Sequence, residues 1–371
     1  MRFILFIILP LLGGFPPHAI AAESRTAPEV WLIPPPWPGN GACLRELVQR
    51  GDQWQTLRSQ VRGIGTYSWL LNVHHSDDDI RALFGRVAEW KLGFGLEVPV
   101  VKAANWGMPQ PLQAKSAFEQ LQGFAMRFTS LGMRKVDWFA FDEPIYAVRY
   151  VIPNSGGTVP VAPAVELIGS VKNDPDAAHR ISYGAAETVS YIAMVRKAFP
   201  DSRLGDIEPY PALNPDEIET AINAIQQGCA AQGIRGLDFF RLDVDWDLME
   251  QKKFGSWEQV KRIETLCRAR GIDFHMIFWS ANQPRLVKEA PSPMLWRDGL
   301  MHQAKVYHAS GAKPDALIVE SWLHTPEHAV PETSPETFTA SALEFLEAFP
   351  PASWVKKPAA PESEAARSRT N

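Results

Sequence analysis

One unit recurs along this chain: an amphipathic segment ends in glycine plus an apolar residue, and a run rich in β-formers follows. It appears as "EWKLGFGLEVPVV" at Gly93, "SLGMRKVDWFAFDEP" at Gly132, "AAQGIRGLDFFRLDVDW" at Gly233, "RARGIDFHMIFW" at Gly271 and "ASGAKPDALIVESW" at Gly311. Glycine just past a helix adopts the left-handed conformation that closes the last turn without a Cβ clash. Each copy therefore reads helix, cap, strand. Successive glycines lie 39, 101, 38 and 40 residues apart, and the long interval leaves room for two units and an insertion. "AFPDSRLGDIEP" fills part of that interval, with Phe199-Pro200-Asp201 as a different helix stop.

Two earlier runs, Glu29–Ile33 and Gly65–Asn72, complete a set of eight strand candidates. The others are Phe94–Val101, Val136–Asp142, Arg203–Glu208, Leu237–Asp243, Phe274–Trp279 and Ala316–Glu320. Helix starts carry their own signals. "SDDD" from Ser76, "NPDE" from Asn214 and "SWEQ" from Ser256 each place a cap residue three before a side chain able to bond back. Pro215 adds the first-turn preference. Strands alternating with helices every ~35–40 residues imply a parallel sheet with helical crossovers, and eight such units close into a (β/α)8 TIM barrel.

The flanks obey other rules. Residues 1–22 read as a secretory signal peptide: Arg2, an apolar run from Phe3 to Leu12, and small residues before a cleavage point after Ala21 or Ala22. The run is well short of the ~20 residues of a spanning helix and is broken by Pro10. A periplasmic or secreted protein with no membrane span after signal removal is expected. The barrel then occupies residues 23–349, with 144–181 a loop insertion after strand 4. The Pro-, Ala- and charge-rich stretch 350–371 reads as a disordered tail.

With 37 cations against 42 acids, a net charge of −5 disfavours nucleic acid as a partner, and a monomer is expected. Three cysteines are too few for a disulfide scaffold. Cys229 and Cys267 occupy matching offsets, but ring helices pack ~8–10 Å apart while a bridge needs Cα atoms within ~7 Å. Two buried thiols are expected.

Catalysis on such a barrel occurs at the C-terminal ends of the strands, where acids collect in this sequence. Strand 3 carries Glu97, strand 4 ends on Asp142-Glu143, and strand 5 has Asp206 and Glu208. Strand 6 gives Asp243 and Asp245, and strand 8 gives Glu320. Residues two apart on a strand share a face, so Asp206 with Glu208, and Arg241 with Asp243 and Asp245, point together. Strand exits face water, which accounts for two or three such acids but not for the whole set.

Trp37, Trp106, Trp246, Trp279 and Trp322 fall at or after strand ends, with Asn282 beside them in "IFWSAN". Flat indoles stack on the C–H faces of pyranose rings, while carboxylates and amides bond the hydroxyls. Acids and tryptophans on an exported barrel point to glycoside hydrolysis of a polysaccharide or oligosaccharide. One carboxylic acid protonates the leaving oxygen; a second carboxylate attacks the anomeric carbon or activates water. No cofactor is needed.

"FDEP", from Phe141 to Pro144, makes the likeness specific. The chain resembles the (β/α)8 glycoside hydrolases, and Glu143-Pro144 is similar to the Asn-Glu-Pro that closes strand 4 in clan A, with Asp142 in place of the Asn. The resemblance implies that Glu143 is the acid/base. The nucleophilic Glu of that clan ends strand 7, whereas strand 7 here ends "IFWSAN" without a carboxylate, so the partner must come from elsewhere. Glu208 is the first choice, because alpha-amylase-like barrels pair acids from strands 4 and 5. By the same analogy Asp142 could exchange roles with Glu143. Asp243 is the second choice and Glu320 the third.

Two other readings stay open. A non-catalytic glycan-binding barrel would keep the cleft and lack one acid. A metal-dependent lyase or isomerase would cage a divalent cation among Glu97, Glu143 and Glu208. His74-His75 is not read as a metal site, because adjacent side chains diverge on extended backbone.

Overall fold

The computed structural model describes residues 27–101, 113–151, 176–252, 254–281 and 292–355. Eight strands close a barrel in chain order: β1 Glu29–Ile33, β2 Gly63–Tyr67, β3 Gly93–Val98, β4 Trp138–Asp142, β5 Arg203–Tyr210, β6 Phe239–Val244, β7 Asp273–Phe278 and β8 Ala316–Glu320. All neighbours are parallel, and β8 returns to β1 in the register Glu29↔Ala316 to Ile33↔Glu320.

The surrounding ring consists of α1 Ala42–Gln49, α2 Asp77–Glu89, α3 Ala114–Ser130, α4 Ala177–Ala198, α5 Pro215–Ala231, α6 Trp257–Ala269, α7 Pro293–Ala309 and α8 Phe338–Ala348. α2 and α5 open with full capping boxes, Ser76 with Asp79 and Asn214 with Glu217. Ser256 accepts from the Gln259 amide at the start of α6. Such caps contribute about 1 kcal/mol each. Among the described residues no helix is long and apolar enough to cross a membrane.

The lower barrel is filled by large rings. Trp31 and Trp138 meet edge-on at 5.4 Å, Trp138 and Phe239 at 6.4 Å, and Phe239 stacks on His275 at 4.4 Å. Room for them comes from inward-facing glycines. A Cβ on Gly63 or Gly93 would strike Trp31, one on Gly65 or Gly95 would strike Trp138, and one on Gly205 would strike Phe239.

That packing explains one departure from the sequence pattern. Gly132, Gly233, Gly271 and Gly311 do adopt positive φ after their helices, but after α2 it is Lys91 that does so, at φ 56°. Gly93 lies inside β3 instead, against Trp31.

Other boundaries shift for equally local reasons. The run expected as strand from Gly65 to Asn72 stops at Tyr67, and Ser68–His74 is a helix. The stretch expected to be disordered from 350 begins with a 3-10 turn, Pro351–Trp354. Trp354 is buried against Phe278 and Tyr307, so apolar burial overrides the Pro-rich composition there. Residues 356–371, the signal segment 1–22 and residues 152–175 of the insertion lie outside the described residues. Cys43, Cys229 and Cys267 are all buried free thiols.

Candidate active site

Above the aromatic floor the barrel interior turns ionic. Arg241 on β6 lies over Trp138, its Cζ 4.3 Å from the ring centroid. It reaches across the barrel to donate to Glu97 Oε1 on β3 at 2.8 Å. Both residues are buried. Removing one partner of such a pair strands a charge and costs about 3–5 kcal/mol. Beside them, Tyr67 at the end of β2 donates its hydroxyl to Glu320 Oε1 on β8 at 2.9 Å. Burial pushes the Glu320 carboxyl up to about 8, against the pull of Arg241 and the Tyr67 bond, with Asp243 and Asp142 adding to the rise.

Over this layer opens a cavity of about 590 Å³ at the C-terminal mouth of the barrel. Its acidic wall holds Glu97, Asp142, Glu143, Asp243, Asp245 and Glu320, from β3, β4, β6 and β8. Aromatic groups face them. Trp37 and Trp69 meet at 5.1 Å on the β1–β2 side, and Trp279 and Trp322 at 4.6 Å on the β7–β8 side. The indole N–H of Trp37 donates to the Trp322 carbonyl at 2.8 Å, and that of Trp279 to the Val244 carbonyl at 3.0 Å. The rings are therefore held in fixed planes.

Glu143 sits where β4 breaks into the turn Pro144–Tyr146, at φ 52° and ψ 48°. For a non-glycine residue the left-handed region costs roughly 1–2 kcal/mol, and such strain collects at functional sites. Its N–H donates to the Ile207 carbonyl at 3.0 Å, and its carbonyl accepts from the Ala147 amide at 3.0 Å. Further along, Arg149 is anchored to Glu217 of α5 at 2.9 Å.

The remaining candidates separate by direction. Asp206 and Glu208 share a face as expected, but the cavity is lined by Ile207 and Pro209 of β5, not by these two acids. Glu208 accepts from the amides of Ile145 at 2.7 Å and Tyr146 at 3.0 Å. Burial raises its carboxyl well above the usual range and Asp206 adds to this, while the two amides oppose it. Burial likewise raises Asp206, whose oxygens find no well-formed hydrogen bond.

Asp245 lines the cavity and also caps the helix Trp246–Lys252, accepting from Leu248 at 3.0 Å. Trp246 packs on His302 at 4.7 Å and bonds the Trp279 carbonyl, outside the cavity lining. Trp106 and Asn282 lie outside the described residues. The cation cage considered for Glu97, Glu143 and Glu208 is not assembled, because Glu97 is bonded to Arg241 and Glu208 to the turn after β4.

The sequence reading missed five aromatic wall residues: Tyr67, Trp69, Tyr146, Tyr210 and His324. Tyr67-Ser-Trp69 held a signal, aromatics spaced by two at a strand end, but the segment was read as strand through Asn72. His324, stacked at 5.9 Å on Trp37, follows Trp322 by two residues in the same loop.

The fold is a (β/α)8 TIM barrel, and solved structures share that architecture. The catalytic domain of the Paenibacillus polymyxa β-amylase matches 89% of this chain and 99% of its own length, at 9% identity and a TM-score of 0.50. A GH10 protein from Paenibacillus barcinonensis matches 81% of this chain and 86% of its own, at 12% identity and a TM-score of 0.46. For a thermostable mutant of a xylanase from Cellvibrio japonicus the shares are 86% and 97%, at 12% identity and a TM-score of 0.48. No family model and no curated protein matches the sequence. The likeness is one of architecture, and the chemistry has to be argued from the cavity.

Proposed function

We propose that this protein is an exported glycoside hydrolase that cleaves a polysaccharide or oligosaccharide in the barrel-mouth cavity. The observation that carries the reading is the convergence, on one cavity, of inward acids from four strands with two tryptophan pairs. Indole faces take the apolar faces of sugar rings, and carboxylates take hydroxyls or act on the bond. The segment 1–22 supplies the export signal in this reading.

Glu143 is the acid/base: it protonates the leaving glycosidic oxygen and then accepts a proton from water, or its partner takes that second task. The partner must be anionic at working pH. Glu320, pushed up to about 8, is protonated near neutrality and serves as a donor to a sugar oxygen. Glu208, first choice from the sequence, is engaged on backbone amides away from the cavity lining. Asp243 on β6 is therefore the nucleophile or base, with Asp142 and Asp245 beside it as hydroxyl ligands.

The test is release of reducing ends from a panel of plant and microbial glycans, with E143Q and D243N alongside the wild type. Loss in both variants with binding retained supports the assignment. Wild-type turnover by E143Q removes Glu143 from the role, and binding without cleavage by the wild type makes the protein a glycan-binding barrel.

A further inference from the structure

We infer that Glu208 is a positioning residue: from the outer face of β5, its carboxyl group holds the turn that carries Glu143 in the left-handed conformation. This rests on the catalytic reading of Glu143 and extends it. A turn that starts a helix exposes amides which the residue at its head ordinarily caps with its own side chain. Here the head residue is Glu143, and its side chain does not cap the turn; it lies on the cavity wall. The amides at the second and third positions, Ile145 and Tyr146, are taken by both oxygens of Glu208, at 2.7 and 3.0 Å.

The capping task has thus moved to the neighbouring strand. Glu208 is only 1% exposed, so water does not compete for these bonds. β5 contributes a second restraint, the Ile207 carbonyl on the Glu143 amide at 3.0 Å. One strand grips the turn through adjacent residues, by backbone at Ile207 and by side chain at Glu208. Pro144 fixes the next φ and adds no donor of its own. Asp206, two residues earlier on the same face, is itself raised by burial and adds to the rise at Glu208.

The experiment uses the full chain with E208Q, E143Q and the double variant, and hydrogen exchange is followed by residue. Glutamine keeps one acceptor oxygen and presents an NH2 to the other amide, so one bond is lost with little change of volume. Exchange of the Ile145 and Tyr146 amides is expected to speed roughly tenfold while β3 and β6 stay protected. On a substrate that the wild type cleaves, kcat is expected to fall roughly 10- to 100-fold with KM within about twofold. The double variant is expected to be no slower than E143Q, because Glu208 acts through Glu143.

Unchanged exchange at Ile145 and Tyr146 overturns the proposal, as does a loss in E208Q that multiplies with that of E143Q. If E143Q itself keeps wild-type turnover, the catalytic reading falls while the exchange result still decides what Glu208 holds. Should E208Q not fold, E208D repeats both measurements with the carboxyl group kept but drawn back by one methylene, and faster local exchange is again the expected result.

Discussion

Strands β5 and β6 are neighbours, run parallel and carry acids at the same spacing, Asp206 with Glu208 and Asp243 with Asp245. They use them on opposite sides of the sheet. The register explains how: Pro209 pairs with Asp243, and Glu208 pairs with Leu242. Partners in a parallel ladder face the same way, so the β6 acids point into the cavity with Pro209, while the β5 acids point to the helix layer with Leu242. A displacement of one residue exchanges the faces. Identical spacing has given one strand a place in the cavity wall and the other a place in the frame behind it.

The largest expected effect comes from the inward set. E143Q and D243N should each lower kcat by roughly 10²–10⁴-fold, read as initial rates on a cleaved glycan, with thermal unfolding little changed. An E208Q loss as large as these, with unaltered exchange at Ile145, would erase the contrast between wall and frame. Next comes Trp69, on the aromatic side of the same cavity. W69A should raise KM roughly five- to tenfold and leave kcat nearly constant, because a stacking platform binds ground state and transition state alike.

The pH dependence sharpens the comparison further. Glu320, Asp206 and Glu208 all have folded-state values raised above those of exposed carboxyls. The folded chain therefore holds these protons more tightly than the unfolded one. Their contribution to stability is fully present below the ordinary carboxylate range and is lost as pH rises, for Glu320 through about 8. E320Q should flatten denaturant-derived stability between pH 5 and pH 8, since glutamine has nothing to titrate. The smallest effect is expected for D206N: unchanged kcat and, at neutral pH, a stability equal to or above wild type, because a buried carboxyl without a good donor is replaced by a neutral isostere.

The sequence carried the barrel openly. Helix-cap-strand units at a constant interval specify parallel strands with crossovers, and the capping boxes at Ser76 and Asn214 marked helix starts to the residue. It also carried the rim, since Glu97, Asp142, Glu143, Asp243, Asp245 and Glu320 all lie on one cavity. Hidden was the parity of β5. Alternation shows which residues share a face, but the face that becomes the inside depends on pairing with a strand some 30 residues away. Trp69 was hidden for a similar reason, as nothing local ends β2 at Tyr67. The turn into helix there is set by packing of Leu70 and Leu71, both buried.

The glycines beneath the site have a consequence for finding kin. "GIGTY" on β2 and "GFGLE" on β3 leave paired hollows into which Trp31 and Trp138 pack. Acids at a barrel mouth can be exchanged between strands as substrates change, but a hollow and its indole can only be altered together. Distant cousins of this chain should be recognisable by consecutive Gly-x-Gly strands with a tryptophan on the strand to either side, even where every acid differs.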